Sequence, residues 1–317
     1  MSVQTTTAMT HPLVRYALVL ALLAALAYSL YMPHMTPAGY ASYMMTILLQ
    51  VSVTAILAVG VTFVLLTGGV DLSLGSLVAL AGVVAAIFAR AGQPLGVSIA
   101  MGVLAGLACG LVNGAVVVFA RVAPFIATLG MMTAARGLAL LLSGGKPVPD
   151  LGESFKAIAG QRAAGVPVPV LIVAAVAGLA WLFLRHSRPG RYVYAVGGNE
   201  EAARACGLNV SLVKVFVYAV SGALAGLAGV INASRLTTGQ PNTGEGFELA
   251  AIAAAVIGGT SLSGGVGTIG GALLGALLMG MISSALDMRD VSAYYQQIIT
   301  GGIIVAAVWL ERKGRRE

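Results

Sequence analysis

The stretch "LLTGGVDLSLGSLVAL", Leu65–Leu80, is an apolar run interrupted once by a glycine pair, an acid and a hydroxyl. A second string echoes it: "GGVDLSLG" at Gly68–Gly75 and "GGTSLSGG" at Gly258–Gly265 share GG-x-x-L-S-x-G, five of eight positions. Each follows one apolar span and opens the next. Glycine pairs and hydroxyls break helices and leave backbone groups free to contact a polar solute. The echo therefore predicts two discontinuous helices near a pathway. The plainer alternative is chance repetition in a glycine-rich chain.

The rest of the chain makes these breaks unusual. Of 317 residues, 58% are hydrophobic and only 9% charged, where a soluble domain carries about 25% charged residues. Mean hydropathy is +0.94. A spanning helix needs roughly 20 mostly apolar residues, and the pattern predicts ten, at 13–32, 42–66, 72–90, 96–119, 124–142, 168–185, 213–233, 247–261, 266–286 and 294–310. The fold class is thus an all-α integral membrane protein forming one domain over residues 1–317, surrounded by lipid. The 42 glycines suit close helix packing in lipid. The segment 13–32 could imitate a signal peptide through "ALA" at Ala25–Ala27, but the many spans that follow favour a first membrane helix.

An even number of spans puts both termini on one side. With the termini inside, the inner segments hold eleven Lys and Arg and the outer segments six, and Arg136 lies within a span. That bias places the termini in the cytoplasm. The pI near 9.6 then reflects orientation, with no nucleic-acid partner implied. Residues 143–167 form the longest outer stretch, turn-rich and too short for a domain. Cys109 and Cys206 suggest neither a metal site nor a disulfide.

One short segment avoids the general apolarity: "VGGNEEAARACGLNV", Val196–Val210, on an inner loop. Asn199 is a good N-cap, Glu200 and Glu201 lie at the positive end of the helix dipole, and Gly207 can take the left-handed cap conformation. Ala202, Ala203, Ala205 and Cys206 keep the helix slim, while Glu200, Glu201 and Arg204 offer charge. It reads either as a plug for a groove in a soluble partner or as an interfacial loop helix with no partner. Its residues alone do not choose.

Enzymatic readings find little support. "LSGGK" at Leu142–Lys146 and "LSGGV" at Leu262–Val266 imitate an ATPase signature loop, but Leu140 and Pro147 stand where a phosphate loop needs glycine and hydroxyl. No H-E-x-x-H or G-x-S-x-G string occurs, and His11, His34 and His186 lie outside the spans. Ion coupling usually relies on intramembrane ionisable groups, and here these are few: Asp71, Arg136 and Glu248. Such sparse chemistry suits an uncharged solute driven from outside the membrane.

Several strings together resemble one family, the permease subunits of bacterial ABC sugar importers, particularly the ribose-type branch. They are "LTGGVDLSLGSLVAL" (66–80), "PFIATLGMM" (124–132), "GRYVYAVGGNEEAARACGLNV" (190–210), "SRLTTGQPNTGEGFEL" (234–249), "AIAAAVIGGTSLSGG" (251–265) and "SAYYQQII" (292–299). They cover about residues 40–310. The resemblance implies a type II-like permease acting as a homodimer, with a cytoplasmic ABC ATPase, commonly a tandem chain, and a periplasmic sugar-binding protein. This chain would bind no cofactor; ATP and Mg would sit on the ATPase. The family's coupling helix falls on 197–208, implicating Gly197, Gly198, Asn199, Glu200, Glu201, Ala202, Ala203, Arg204 and Gly207. The binding protein would dock on 143–167 and 234–246. Ribose or a related pentose is the expected cargo; nucleosides, branched-chain amino acids, or a stand-alone carrier or channel are the alternatives. Close ribose-type relatives often carry an acid where this chain has Ala250: if that acid touches sugar or steadies the pathway, another pentose or related polyol gains weight over ribose, and otherwise the change is a helix-face substitution with no effect on the choice of sugar. Sugar hydroxyls need hydrogen-bond partners at breaks or within spans, so Asp71, Ser73, Asn113, Asn232, Thr260 and Ser261 are the candidate pathway residues; the alternative for each is to satisfy a neighbouring helix, since polar residues also hold membrane helices together. Arg136 is expected to pair with backbone carbonyls or to snorkel rather than to bind sugar.

Overall fold

The computed structural model describes residues 20–22, 24–26, 28 and 36–314. Most of the described chain is helical: α1 (Pro37–Leu66), α2 (Leu74–Arg90), α3 (Leu95–Val118), α4 (Pro124–Ser143), α5 (Glu153–Gly160), α6 (Val168–His186), α7 (Arg188–Gly198), α8 (Glu200–Ala205), α9 (Val210–Leu236), α10 (Phe247–Ile257), α11 (Ile269–Asp287) and α12 (Ala293–Gly314). Among the described residues, α1, α3, α4, α6, α9 and α11 are long and apolar enough to cross a membrane, and α2 and α10 are shorter apolar helices. The expected span at 13–32 lies mostly outside the described residues.

The centre of the molecule is α9, packed on α3, α2 and α1. Its contact with α3 follows from a four-residue repeat. Ser98, Gly102, Gly106, Gly110 and Gly114 form a buried stripe on α3, since residues four apart lie on one helix face. A Cβ at Gly106 would run into the Gly222 carbonyl, and one at Gly110 into that of Tyr218. In lipid, helices gain little hydrophobic energy from meeting, so close backbone approach over small residues drives the pairing. The same stripe turns Asn113, 1% exposed, toward the interior, while Leu104, Leu111 and Val112 face outward.

The expected span at 247–261 is corrected. Helix α10 has 11 residues, about 16 Å at 1.5 Å per residue, roughly half the hydrocarbon thickness. It stops at Ile257 because the Gly258–Gly259 pair follows. The segment before it, 237–246, runs back along α2: Gly239 lies against Gly82, Val83 and Ala86, and Gly244 against Gly75. Pro241 and three glycines keep this stretch out of helix.

The stretch 143–167 is more ordered than its turn-rich sequence suggests. It holds α5 and an antiparallel hairpin, β1 (Arg162–Ala163) with β2 (Val166–Pro167). Phe155 and Leu151 are buried. The Ser234 hydroxyl donates to the Phe155 carbonyl at 2.7 Å and accepts from the Ala159 amide at 3.0 Å. Val148 and Gly239 exchange both backbone hydrogen bonds at 2.9 Å. The two stretches expected to receive a binding protein are thereby one structure.

Candidate functional site

The first break, between α1 and α2, is fixed by side chains. Asp71 Oδ1 accepts from the Ser73 amide at 3.0 Å and the Ser73 hydroxyl at 2.6 Å, and Oδ2 accepts from the Ser221 hydroxyl of α9 at 2.9 Å. Asn113 Nδ2 of α3 donates to Ser73 Oγ at 3.0 Å. Tyr218 donates to the Val70 carbonyl at 3.3 Å. Asp71, Ser73 and Ser221 are wholly buried. Three candidate pathway residues, Asp71, Ser73 and Asn113, thus form one network that ties α2 to α3 and α9. Ser221 and Tyr218 were missed by sequence reasoning; a lone serine in an apolar span was the available signal for the first.

Thr260 and Ser261 belong to the second break, residues 258–268, between α10 and α11. Both are buried. Ser261 Oγ accepts from the Ser263 amide at 3.1 Å, the counterpart of the Asp71–Ser73 turn at the matching positions of the echo. Thr260 Oγ1 is, among the described residues, the buried side-chain oxygen without a hydrogen-bond partner. The remainder of this break is held through backbone: the Gly265 amide donates to the Leu66 carbonyl at 2.9 Å, and Tyr194 of α7 donates to the Gly267 carbonyl at 2.9 Å.

Asn232 stands apart from both breaks. It donates to Thr243 Oγ1 at 3.1 Å and accepts from Arg235 at 3.3 Å. Arg136 donates to the carbonyls of Pro241 and Thr243 at 2.6 and 2.7 Å, the carbonyl role expected of it. Together they pin the non-helical segment 237–246, whose backbone groups would otherwise be left open. Ala250 continues the first turn of α10, its amide bonded to the Gly246 carbonyl.

The polar segment forms two helices, not one. Gly197 and Gly198, expected within a single 197–208 unit, end α7; Asn199 then caps α8 by accepting from the Ala202 amide at 2.9 Å. Gly207 adopts φ +82°, and the Gly207 and Leu208 amides close the last turn onto Arg204 and Ala203. Ala203 is buried, whereas Glu201, Ala202, Arg204, Ala205 and Cys206 are exposed. Glu200 is turned back toward the body, its carboxylate held by Lys214 at 2.6 Å and Arg204 at 3.2 Å. The Lys214 hydrogen bond holds that carboxyl below its ordinary pKa. One face of α8 is therefore anchored and the other presented. A recess beside it is lined by Arg121, Glu200, Arg204, Ser211 and Lys214. Among the described residues, no three His, Cys, Asp or Glu side chains gather as a metal site.

A family model described as "Branched-chain amino acid transport system / permease component" matches residues 43–308. The chain belongs to this permease family. The match runs from α1 into α12 and so includes both breaks and α8. Relatives of this permease are close. It is 46% identical over 271 residues to the ribose import permease protein RbsC of Escherichia coli (strain K12), covering 84% of each chain. It is 42% identical over 271 residues to the ribose import permease protein RbsC of Bacillus subtilis (strain 168), covering 85% of this chain and 84% of that one. It is 40% identical over 267 residues to the D-allose transport system permease protein AlsC of Escherichia coli (strain K12), covering 84% and 82%. No solved structure matches.

Proposed function

We propose that this permease is the membrane subunit of an ATP-driven importer that carries a monosaccharide into the cytoplasm of a bacterium, across the inner membrane. The observation that carries the reading is its identity of 40–46% with permeases named for ribose and D-allose. The presented face of α8 supports it independently. In this reading, α8 is the coupling helix. Glu201, Ala202 and Arg204 face the groove of a separate ABC ATPase, commonly a tandem chain. Glu200 and Lys214 secure the helix to α9, so that force on the exposed face moves α9 instead of peeling the helix away.

The chain itself does no covalent chemistry. ATP binding and hydrolysis on the partner bias two arrangements of the membrane helices, and the gain in transport comes from their differential affinity for docked partners and cargo. Two copies of this permease, termini cytoplasmic, enclose one pathway. A periplasmic binding protein docks on the joined surface of 143–167 and 234–246. Ribose or a related pentose is the cargo, and the candidate pathway residues remain Asp71, Ser73, Asn113, Asn232, Thr260 and Ser261. The deep burial of the first three favours a role in holding the pathway's shape.

The test is uptake of labelled ribose, allose, arabinose, a nucleoside and leucine by membranes carrying the permease with its ATPase and binding protein. ATP-dependent uptake of one sugar is expected. ATP-dependent uptake of leucine or the nucleoside alone would replace the cargo, and uptake without ATP would overturn the class.

A further inference from the structure

Gly197 is the penultimate residue of α7, three positions before α8 begins, and it sits where three backbones meet. A Cβ built there would run into the Leu66 carbonyl at the end of α1 and lie 2.6 Å from the Gly265 amide of the second break. A Cβ at Gly264 would lie 2.8 Å from the Gly197 carbonyl and 2.9 Å from the Gly68 amide of the first break. One at Gly265 would lie 3.0 Å from the Gly198 Cα. Gly197 does not have the positive φ of Gly264 and Gly265, so only close approach demands glycine at that position. Beside the junction, the Tyr194 hydroxyl holds the Gly267 carbonyl and the Gly265 amide holds that of Leu66. The three segments that stand out in the sequence, the two echoed breaks and the polar loop, thus converge on one contact.

We propose that Gly197 and Tyr194 are positioning residues that carry movement of α8 into both glycine-rich breaks, through a junction with no side chain at its centre. A long side chain between moving parts changes rotamer and absorbs a small displacement. Backbone against backbone has no such slack, and close-packed interiors transmit strain. Only Gly198 and Asn199 separate the junction from α8, and Asn199 is itself locked as the cap. From the junction, one displacement reaches α1 and α2 through residues 66–68 and α11 through residues 264–267.

The inference rests on α8 being the coupling helix. The test uses the full permease with its ATPase and binding protein in liposomes, and reads ATP hydrolysed per sugar carried alongside ATPase co-purification. Gly197→Ala is expected to retain co-purification while ATP consumed per sugar rises about tenfold. Tyr194→Phe, which loses one hydroxyl, is expected to raise the ratio about threefold with only a small fall in the thermal midpoint of the permease, set by the loss of one hydrogen bond to the Gly267 carbonyl. Gly270→Ala is the control, since a Cβ there meets nothing within 4 Å, and its ratio should equal that of the unaltered chain. Co-purification with unchanged ratios in both Gly197→Ala and Tyr194→Phe would overturn the relay. If Gly197→Ala does not insert, an unchanged ratio in Tyr194→Phe alone does so. An ATPase that fails to bind even the unaltered permease removes the coupling-helix reading instead.

Discussion

The two breaks share a sequence pattern and a local turn, yet they are held in opposite ways. In both, the fourth residue of the echo accepts a hydrogen bond from the amide of the sixth: Asp71 from Ser73, Ser261 from Ser263. Beyond that turn the first break is clamped by side chains from α3 and α9, through Asn113 and Ser221. The second turns through Gly264 and Gly265, at φ +87° and +75°, and is held at its own backbone groups, by the Leu66 carbonyl and the Tyr194 hydroxyl. A carboxylate enclosed by hydroxyls makes a fixed point, because any shift leaves buried groups unpaired. Gly264 and Gly265 instead make close backbone contacts with Gly197, Gly68 and Gly198 that pass on a displacement without unpairing such a cluster. The first break is an anchor that moves only as one body with the helices it ties, and the second is the joint through which movement enters.

The sharpest way to break this contrast is Asp71→Ala. It strips acceptors from the Ser73 amide and from two hydroxyls, each about 1–3 kcal/mol when left unsatisfied in a buried site. A loss of about 3–5 kcal/mol is expected, seen as a steep fall in thermal midpoint in detergent. Asp71→Asn, which keeps an acceptor oxygen, should recover part of it. An Asp71→Ala permease as stable as the parent would remove the anchor.

Gly264→Ala should act the other way. Left-handed backbone at a non-glycine residue costs about 1–3 kcal/mol, and the added Cβ presses on Gly197 and Gly68. Uptake is expected to fall by far more than the thermal midpoint. Proportionate losses in both would make the second break as structural as the first.

Glu200 gives a smaller, pH-dependent effect. Its folded pKa is lowered by the Lys214 hydrogen bond, so its contribution is fully present above the unfolded carboxylate value and lost as pH falls through the lower folded value. The pair is partly exposed, which limits its worth to under about 1 kcal/mol. Hydrogen-exchange protection of α8, corrected for intrinsic rates, should hold from neutral pH into the ordinary carboxylate range and drop below it. Glu200→Gln should lower protection at neutral pH. Smallest of all is Thr260→Val, expected to leave stability unchanged or slightly raised because an unpartnered buried hydroxyl is removed. If that variant also loses uptake, Thr260 touches cargo.

How far the sequence could be read follows from what each feature is made of. The long helices were legible because an apolar run of about 20 residues satisfies its own backbone in lipid, and α1, α3, α4, α6, α9 and α11 each contain or nearly coincide with an expected span. The cap of α8 was legible because Asn199 and Gly207 are local signals. The half-length α10 was only partly legible: 247–261 is as apolar as a span, and although the Gly258–Gly259 pair that ends the helix stands in the sequence, the return of 237–246 along α2 shows only in three dimensions. The partner of Asp71 was not legible, because Ser221 is 150 residues away. Gly197 looked like part of a docking helix; with no side chain to show direction, its inward contact became visible only in three dimensions.

The most direct test of the central claim is ATP-driven uptake of labelled ribose in liposomes containing the ATPase and binding protein, comparing the intact permease with Glu201→Arg/Arg204→Glu. Both residues are exposed on α8 and neither is Glu200 or Lys214, although Arg204→Glu also removes the second, exposed partner of Glu200. ATP-dependent uptake is expected from the intact chain and its loss in the variant, with membrane insertion unchanged. Undiminished uptake in the variant, following an ion gradient in place of ATP, would contradict that claim.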